Sequence, residues 1–597
     1  MLMVLSLLTP LALTAVIALA GTLGPARGHK VRRAAAMLSP VTVLPAATLS
    51  VITPEAELQA PWLLFGTVFT LDPAARALTL MGALLYGAAL MAVTWVKLRH
   101  TERGSGALSG FLMVCFAGNI GTYWAADAVS FYLAFAVMSF SAAGLVIHYR
   151  HRAARRATRI YLVMSVISET AILGGLILTA SAGGYLVADA PAAVASSDRT
   201  GLIVALLLIG FGVKAGTVPL HVWLPLAHPA APPAASAVLS GAMVKAGLVG
   251  WVRFLPLGEE PAHVVAGQIL LTLALVGAFA AVVVGVLQKD PKVVLAYSTI
   301  SQMGFMTSLV AVALLVPDIA SAAIAAVVLY AVHHGLAKGA LFLGVPVVKH
   351  YGRGRTGVLV ALGMAGAALA VAGAPLTSGA YGKYVSKDAV EGISVLGVGL
   401  DQLLPLVATG STLLLMRFAW VLSRAERAPV GPPDGELLSW LAVCAAGVTV
   451  PWMVGLWWLP GAGEFGWTAT ALWDASWPIL LGIAVGVAAW WAALRDLLPI
   501  WLRPDGTKVE PGDIVVAKES LVMRGWEGAS AGLEAAHAAS TTVRSRGAGA
   551  GRGVAEWLRR GAARAELTLS SWEGSGLVIL VLTAAAVVIV VWAGGMW

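Results

Sequence analysis

The chain has 597 residues, of which 59% are hydrophobic and only 12% charged, about half the charged share of a soluble domain. Its mean hydropathy of +0.85 excludes an ordinary soluble protein, and its net charge of +9 is read as membrane topology beside an anionic leaflet, with no nucleic-acid partner. The two cysteines, Cys115 and Cys444, lie far apart in apolar runs without any CxxC pattern, and no Walker A motif or dinucleotide fingerprint occurs, so no cofactor and no metal are expected.

Apolar runs long enough to cross a bilayer recur along the chain. They predict an all-α polytopic membrane protein with about sixteen spans, near 2–21, 36–53, 76–97, 106–124, 127–147, 159–182, 200–220, 234–256, 263–287, 293–315, 319–347, 357–384, 398–422, 437–458, 475–494 and 574–594. The first run has no basic residues before it and no small-residue cleavage site after it, so it reads as a retained helix. Basic clusters follow odd-numbered spans: Arg27 to Arg33, Lys97 to Arg103, Arg150 to Arg159, Lys349 to Arg355, Arg424 with Arg427, and Arg495 with Arg503. Loops on the other side are neutral or acidic, as at Glu259 and Glu260. The positive-inside rule then predicts an inner-membrane protein with basic loops in the cytoplasm and both termini outside. The segment 496–573 is polar, and GVAEWLRRGAARAELTLS (553–570) has an amphipathic character suited to a membrane surface or a neighbouring subunit.

Ionisable residues at bilayer depth cost a few kcal/mol each (about 2.5–3.5 on insertion scales) and default to functional hypotheses. Lys214 lies in FGVKAGTVP, where Gly and Pro break the helix. Lys245 is inside the next span, and His334 and Lys338 stand at i and i+4 in HHGLAKGALFL, with His333 adjacent. Lys383 lies in GAPLTSGAYGKYVSK, a second broken helix, and Glu169 is mid-span in VISETAILGG. A structural ion pair or a snorkelling stem explains one such residue, and that is the reading for Arg417. Six on five central spans are better explained as a proton relay: Lys214, Lys245, His334, Lys338 and Lys383, with Glu169 tuning Lys214. His221, His228, His333, Asp290 and Lys387 are further candidates for the relay or its mouths. Broken helices five spans apart, an odd offset, suggest two inverted five-helix repeats. The resulting organisation is 1–105, N-terminal helices; 106–256, first repeat; 257–422, second repeat; 423–495, two more helices; 496–573, connector; and 574–597, a final helix.

Three stretches then show a resemblance: KAGTVPLHVWLPLAHPAAPPAASAVLSGAMVKAG (214–247), QKDPKVVLAYSTISQMG (288–304) and HGLAKGALFL (334–343). Over roughly 60–420 the chain resembles the antiporter-like proton-translocating subunits of respiratory complex I, membrane-bound hydrogenases and Mrp-type cation/proton antiporters. The resemblance implies that Lys214, Lys245, His334, Lys338 and Lys383 line a hydrated polar axis along the middle of the membrane. It also implies partners: other membrane subunits of a multi-subunit complex, with protons and in some assemblies Na+ as the transported ions. No redox centre belongs to the chain in this reading, so any oxidoreductase chemistry would sit in its partners.

One departure stands out. The family places a glutamate in the fifth span, paired with the seventh-span lysine, and here that position is Ala136. Glu169 in the sixth span is read as the displaced partner. Alternatives remain a cation/proton antiporter subunit, a proton-coupled membrane partner for inorganic carbon uptake, and a non-conducting scaffold.

Overall fold

The computed structural model describes residues 1–512 apart from 64–65, 100–104, 428–433, 460–464, 500–501 and 503–508. The predicted amphipathic segment at 553–570 and the last span at 574–594 lie outside the described residues. Among those described, fifteen helical segments are long and apolar enough to cross a membrane. In chain order they are Leu2–Leu19, Arg27–Ile52, Pro73–Trp95, Gly106–Trp124, Ala128–Val146, Arg152–Ser181, Thr200–Ala230, Pro233–Phe254, Val264–Val286, Pro291–Leu315, Pro317–Tyr351, Gly354–Ala372, Leu400–Ser423, Gly435–Trp457 and Ala469–Leu494. They are called the first to the fifteenth span below.

The second span differs from its expected form. The basic stretch after the first span is not a loop but part of a helix, Pro25–Leu38, which bends through a short 3-10 segment into Leu44–Ile52. Pro40 and Pro45 cause the bend, since proline suits the first turn of a new helix and cannot donate inside an old one. Two small antiparallel hairpins interrupt the helices. One pairs Ala56–Ala60 with Thr67–Leu71, and the other pairs Ser394–Val395 with Val398–Gly399. Asp127 pins the first to the fifth span, accepting from the Val68 and Ser130 amides at 2.9 and 2.8 Å.

Burial locates the centre. The eighth and tenth spans are 94% buried, the third and fourth 83%, whereas the first, twelfth and fifteenth are about a fifth buried. Lipid-facing helices need no packing partner, so the inner helices carry the buried polar side chains. The sixth, seventh and eighth spans approach almost backbone to backbone. A Cβ on Gly210 would lie 2.9 Å from the Ile172 amide nitrogen, and one on Gly247 would lie 2.6 Å from both the Ala215 nitrogen and the Phe211 carbonyl oxygen. Gly247→Val therefore has backbone, not a flexible side chain, to displace. It is expected to destabilise the protein by about 1–3 kcal/mol, seen as a lower melting temperature of the detergent-purified protein; an unchanged melting temperature would contradict this packing.

Both predicted helix breaks are present. The seventh span runs as Thr200–Ala215, stops at Gly216 with φ 72°, and resumes as Leu220–Trp223 and Leu224–Ala230. Trp223 Nε1 donates to the Val213 carbonyl at 2.7 Å, and Thr217 Oγ1 to Gly212 at 3.0 Å, so carbonyls freed by the break are used. The twelfth span stops at Ala372, turns through Gly373 with φ 85°, and resumes as Ser378–Asp388.

Candidate functional site

Lys214 stands in the last turn of the first half of the seventh span, where the helix dipole favours a cation. Its ammonium is buried and donates to Ser139 Oγ at 2.8 Å and to the Tyr161 hydroxyl at 2.9 Å. Tyr161 in turn donates to the Ser139 carbonyl at 2.8 Å. The rings of Tyr161, Trp223 and Phe135 surround the ammonium at 4.9, 5.8 and 5.9 Å. Glu169 is buried on the sixth span, which also carries Tyr161, within electrostatic reach of Lys214 and of Ser139. Neither of its oxygens has a regular hydrogen-bond partner among the described residues. The cage therefore holds one lysine, two neutral acceptors and one underused carboxylate.

Lys245 lies deeper, fully buried. The eighth span loosens into a π-helical turn at Leu239–Met243, and Lys245 Nζ donates to the Ser240 carbonyl at 2.8 Å. Such turns leave a carbonyl without its usual helical donor. On the other side Nζ is 2.7 Å from His334 Nδ1. A lysine offers donors here, so Nδ1 accepts and the neutral ring carries its proton on Nε2. That nitrogen has no partner among the described residues. Lys338, one turn further on the same helix, donates to the Leu295 carbonyl at 3.1 Å.

His333 points to the second half of the site. Its Nδ1 is 2.9 Å from Ser378 Oγ, while Ser378 donates to the Gly447 carbonyl at 2.7 Å. The serine proton is thus committed, so the neutral His333 donates from Nδ1, and its ring also lies beside the Ala370 carbonyl. Its ring lies within electrostatic reach of both Lys245 and Lys383. Lys383 donates to the Ala372 carbonyl at 2.6 Å, capping the first half of the broken twelfth span from the second half. Lys214 and Lys383 thus sit on opposite sides of their respective breaks.

Beyond Lys383 opens a cavity of about 250 Å³, lined by Lys387, Asp388, Asp401 and Asp474 among others. Lys387 donates to Asp474 at 2.6 Å, tying the twelfth span to the fifteenth. These residues all lie at span ends away from the basic loops.

The remaining candidates separate. His228 is fully buried, its ring stacked on Phe342 at 4.7 Å, with neither nitrogen partnered among the described residues. His221 is buried on the 3-10 turn after the break. Asp290 caps the tenth span, accepting from the Lys292 and Val293 amides at 2.8 and 3.2 Å, away from the lysine axis. Lys292 caps the end of the seventh span, donating to Pro229 and Ala231 carbonyls at 3.1 and 2.7 Å. Arg417 donates to the Gln288 carbonyl at 2.9 Å, in keeping with a structural role. Sequence reasoning missed Ser139, Tyr161, Ser240 and Ser378. A small polar residue in an apolar run was the only available signal, and many such residues merely bond their own helix.

Residues 125–390 match the family model described as NADH:quinone oxidoreductase/Mrp antiporter, TM, inside the 60–420 stretch marked by the motifs. An uncharacterised protein of Mycobacterium tuberculosis is 34% identical over 279 residues, covering 45% of this chain and 42% of that protein. Hydrogenase-4 component B of Escherichia coli is 29% identical over 265 residues, covering 43% and 39%. The match thus spans less than half the length of these relatives. A chain in the structure of the Mrp complex from Dietzia sp. DQ12-45-1b superposes with a TM-score of 0.66 at 21% identity, covering 94% of this chain and 63% of that one; this is a likeness of fold.

Proposed function

We propose, from the premise that residues 125–390 are the transmembrane module of the NADH:quinone oxidoreductase/Mrp antiporter family, that the chain is a proton-translocating membrane subunit of a complex I-like or hydrogenase-like assembly. The observation that carries the proposal is the contact of Lys245 Nζ with His334 Nδ1, 2.7 Å apart and fully buried, with Lys338 close by. Two unit charges of like sign about 4 Å apart repel by roughly 4 kcal/mol at an effective dielectric near 20. Loading one group therefore expels a proton from its neighbour, and coupled titration becomes directed transfer. Glu169 holds Lys214 charged when ionised and releases it when neutral. His333 carries the step from the central pair towards Lys383, and the cavity beyond Lys383 is the outlet. Energy comes from a redox partner, since the relay supplies none.

On this reading the chain sits in an inner membrane with its basic loops inside and both termini outside, as the positive-inside rule orders them. The paired breaks at Gly216 and Gly373 support two inverted repeats over 106–256 and 257–422. A second reading, cation/proton antiport, draws on the carboxylates around the outlet, because Na+ needs oxygen ligands that lysines cannot supply.

The test is proton flux in proteoliposomes holding the purified native assembly, with Lys214→Ala and Lys383→Ala against wild type, with and without Na+. Loss in both variants is expected, on the order of 100-fold. Na+ dependence would favour exchange. Unchanged flux in both, with the assembly intact, would make the chain a scaffold.

A further inference from the structure

Among the described residues three carboxylates are buried: Asp127, Glu169 and Glu436. Asp127 is committed to two backbone amides, and Glu169 faces Lys214. Glu436 has no part in the relay so far. It stands in the first turn of the fourteenth span, yet Asp434 already caps that helix, accepting from the Glu436 amide at 2.9 Å. Burying a carboxylate that capping does not require is costly unless something else uses it.

One partner is His350, with Nδ1 2.9 Å from Glu436 Oε2; the histidine side chain is 39% exposed and the glutamate 4%. Both line a cavity of about 200 Å³ together with His148, Tyr149, Pro232 and Leu343. That volume has room for several waters. His350, Glu436, His148, Tyr149 and Pro232 lie at span ends on the basic-loop side, opposite the Lys383 outlet, and Leu343 lies about two turns deeper. Phe342, the chain neighbour of the cavity-lining Leu343, stacks on His228, whose ring nitrogens have no hydrogen-bond partner among the described residues, and Lys338 is one helical turn deeper on the same helix. His228 is within electrostatic reach of Lys338.

We propose that Glu436 and His350 form a proton-loading site on the basic-loop side, which feeds Lys338 through the adjoining cavity and His228. The exposed imidazole takes a proton from bulk water. The buried carboxylate shares it and holds it where an axis of lysines would otherwise repel it. Each step breaks one O–H or N–H bond and forms another, so nothing beyond water is consumed. The inference rests on the translocation reading above.

Its test uses proteoliposomes with the purified native assembly and proton uptake driven by an imposed K+ diffusion potential. Glu436→Gln is expected to lower the flux about tenfold or more, and millimolar formic acid, small enough to enter the cavity, is expected to restore much of it. Lys338→Ala is expected to abolish flux without rescue, and it serves as the leak control for the acid. Normal flux in Glu436→Gln beside a dead Lys338→Ala would overturn the loading site and leave translocation standing. Normal flux in both would overturn the translocation reading itself. Should Glu436→Gln fail to assemble, His350→Gln keeps a donor to Glu436 but cannot carry a proton; it should lose flux and regain it with added imidazole. Loss in either variant without rescue would make the pair structural.

Discussion

Replacing Lys245 by methionine is expected to abolish proton translocation while leaving the protein folded. Methionine matches the stem in length and removes the ammonium. The Ser240 carbonyl and His334 Nδ1 both lose their donor, at a cost of about 1–3 kcal/mol each. The change also removes a cation that is buried against His334 and near Lys338, and that relief is of similar size or larger. Stability should therefore hold or rise, and flux should fall on the order of 100-fold or more. Lys245→Arg separates two explanations. Arginine keeps the charge but does not release its proton at any working pH. A relay needs release, so this variant should be as inactive as Lys245→Met, with assembly checked on native gels. Near-normal flux with arginine would mean that Lys245 acts as a fixed charge and that protons pass elsewhere.

What the sequence displays is what lipid forbids. Twenty apolar residues in a row have few fates, so the described spans fall close to where the runs place them. A lysine inside such a run is conspicuous, and Gly216, Pro219, Gly373 and Pro375 announce the breaks. What stays hidden is neutral. Ser139 and Tyr161 hold Lys214 from two different helices, and nothing in the order of residues says that a serine in FAVMSFS faces a lysine 75 positions on. The π-helical turn at Leu239–Met243 has no proline to mark it. It arises where Gly241 meets the eleventh span, with its would-be Cβ 2.8 Å from the Gly335 carbonyl oxygen. Glu436 is missed for the opposite reason: a glutamate in a first helical turn looks ordinary until its burial is seen.

The displaced carboxylate gives the other large effect. Tyr132, Ala136 and Ser139 are spaced i, i+4 and i+7, so they form one stripe of the fifth span. Tyr132 and Ser139 both lie within electrostatic reach of Glu169, which puts Ala136 between two residues that face it. A methyl at 136 leaves room for a carboxylate reaching across from the sixth span; a glutamate there would occupy that room itself. Glu169→Gln keeps the shape and loses the charge that tunes Lys214, so flux is expected to fall on the order of 100-fold. Adding Ala136→Glu in that background moves the carboxylate one helix back and should restore much of the flux. Ala136→Glu alone sets two carboxylates on one lysine, and mutual repulsion would keep one of them protonated; intermediate flux is expected. All three are read as proton uptake in proteoliposomes of the native assembly. Wild-type flux in Glu169→Gln would remove the carboxylate from the mechanism. A dead double variant that still assembles would mean that Glu169 acts from a direction the fifth span cannot replace.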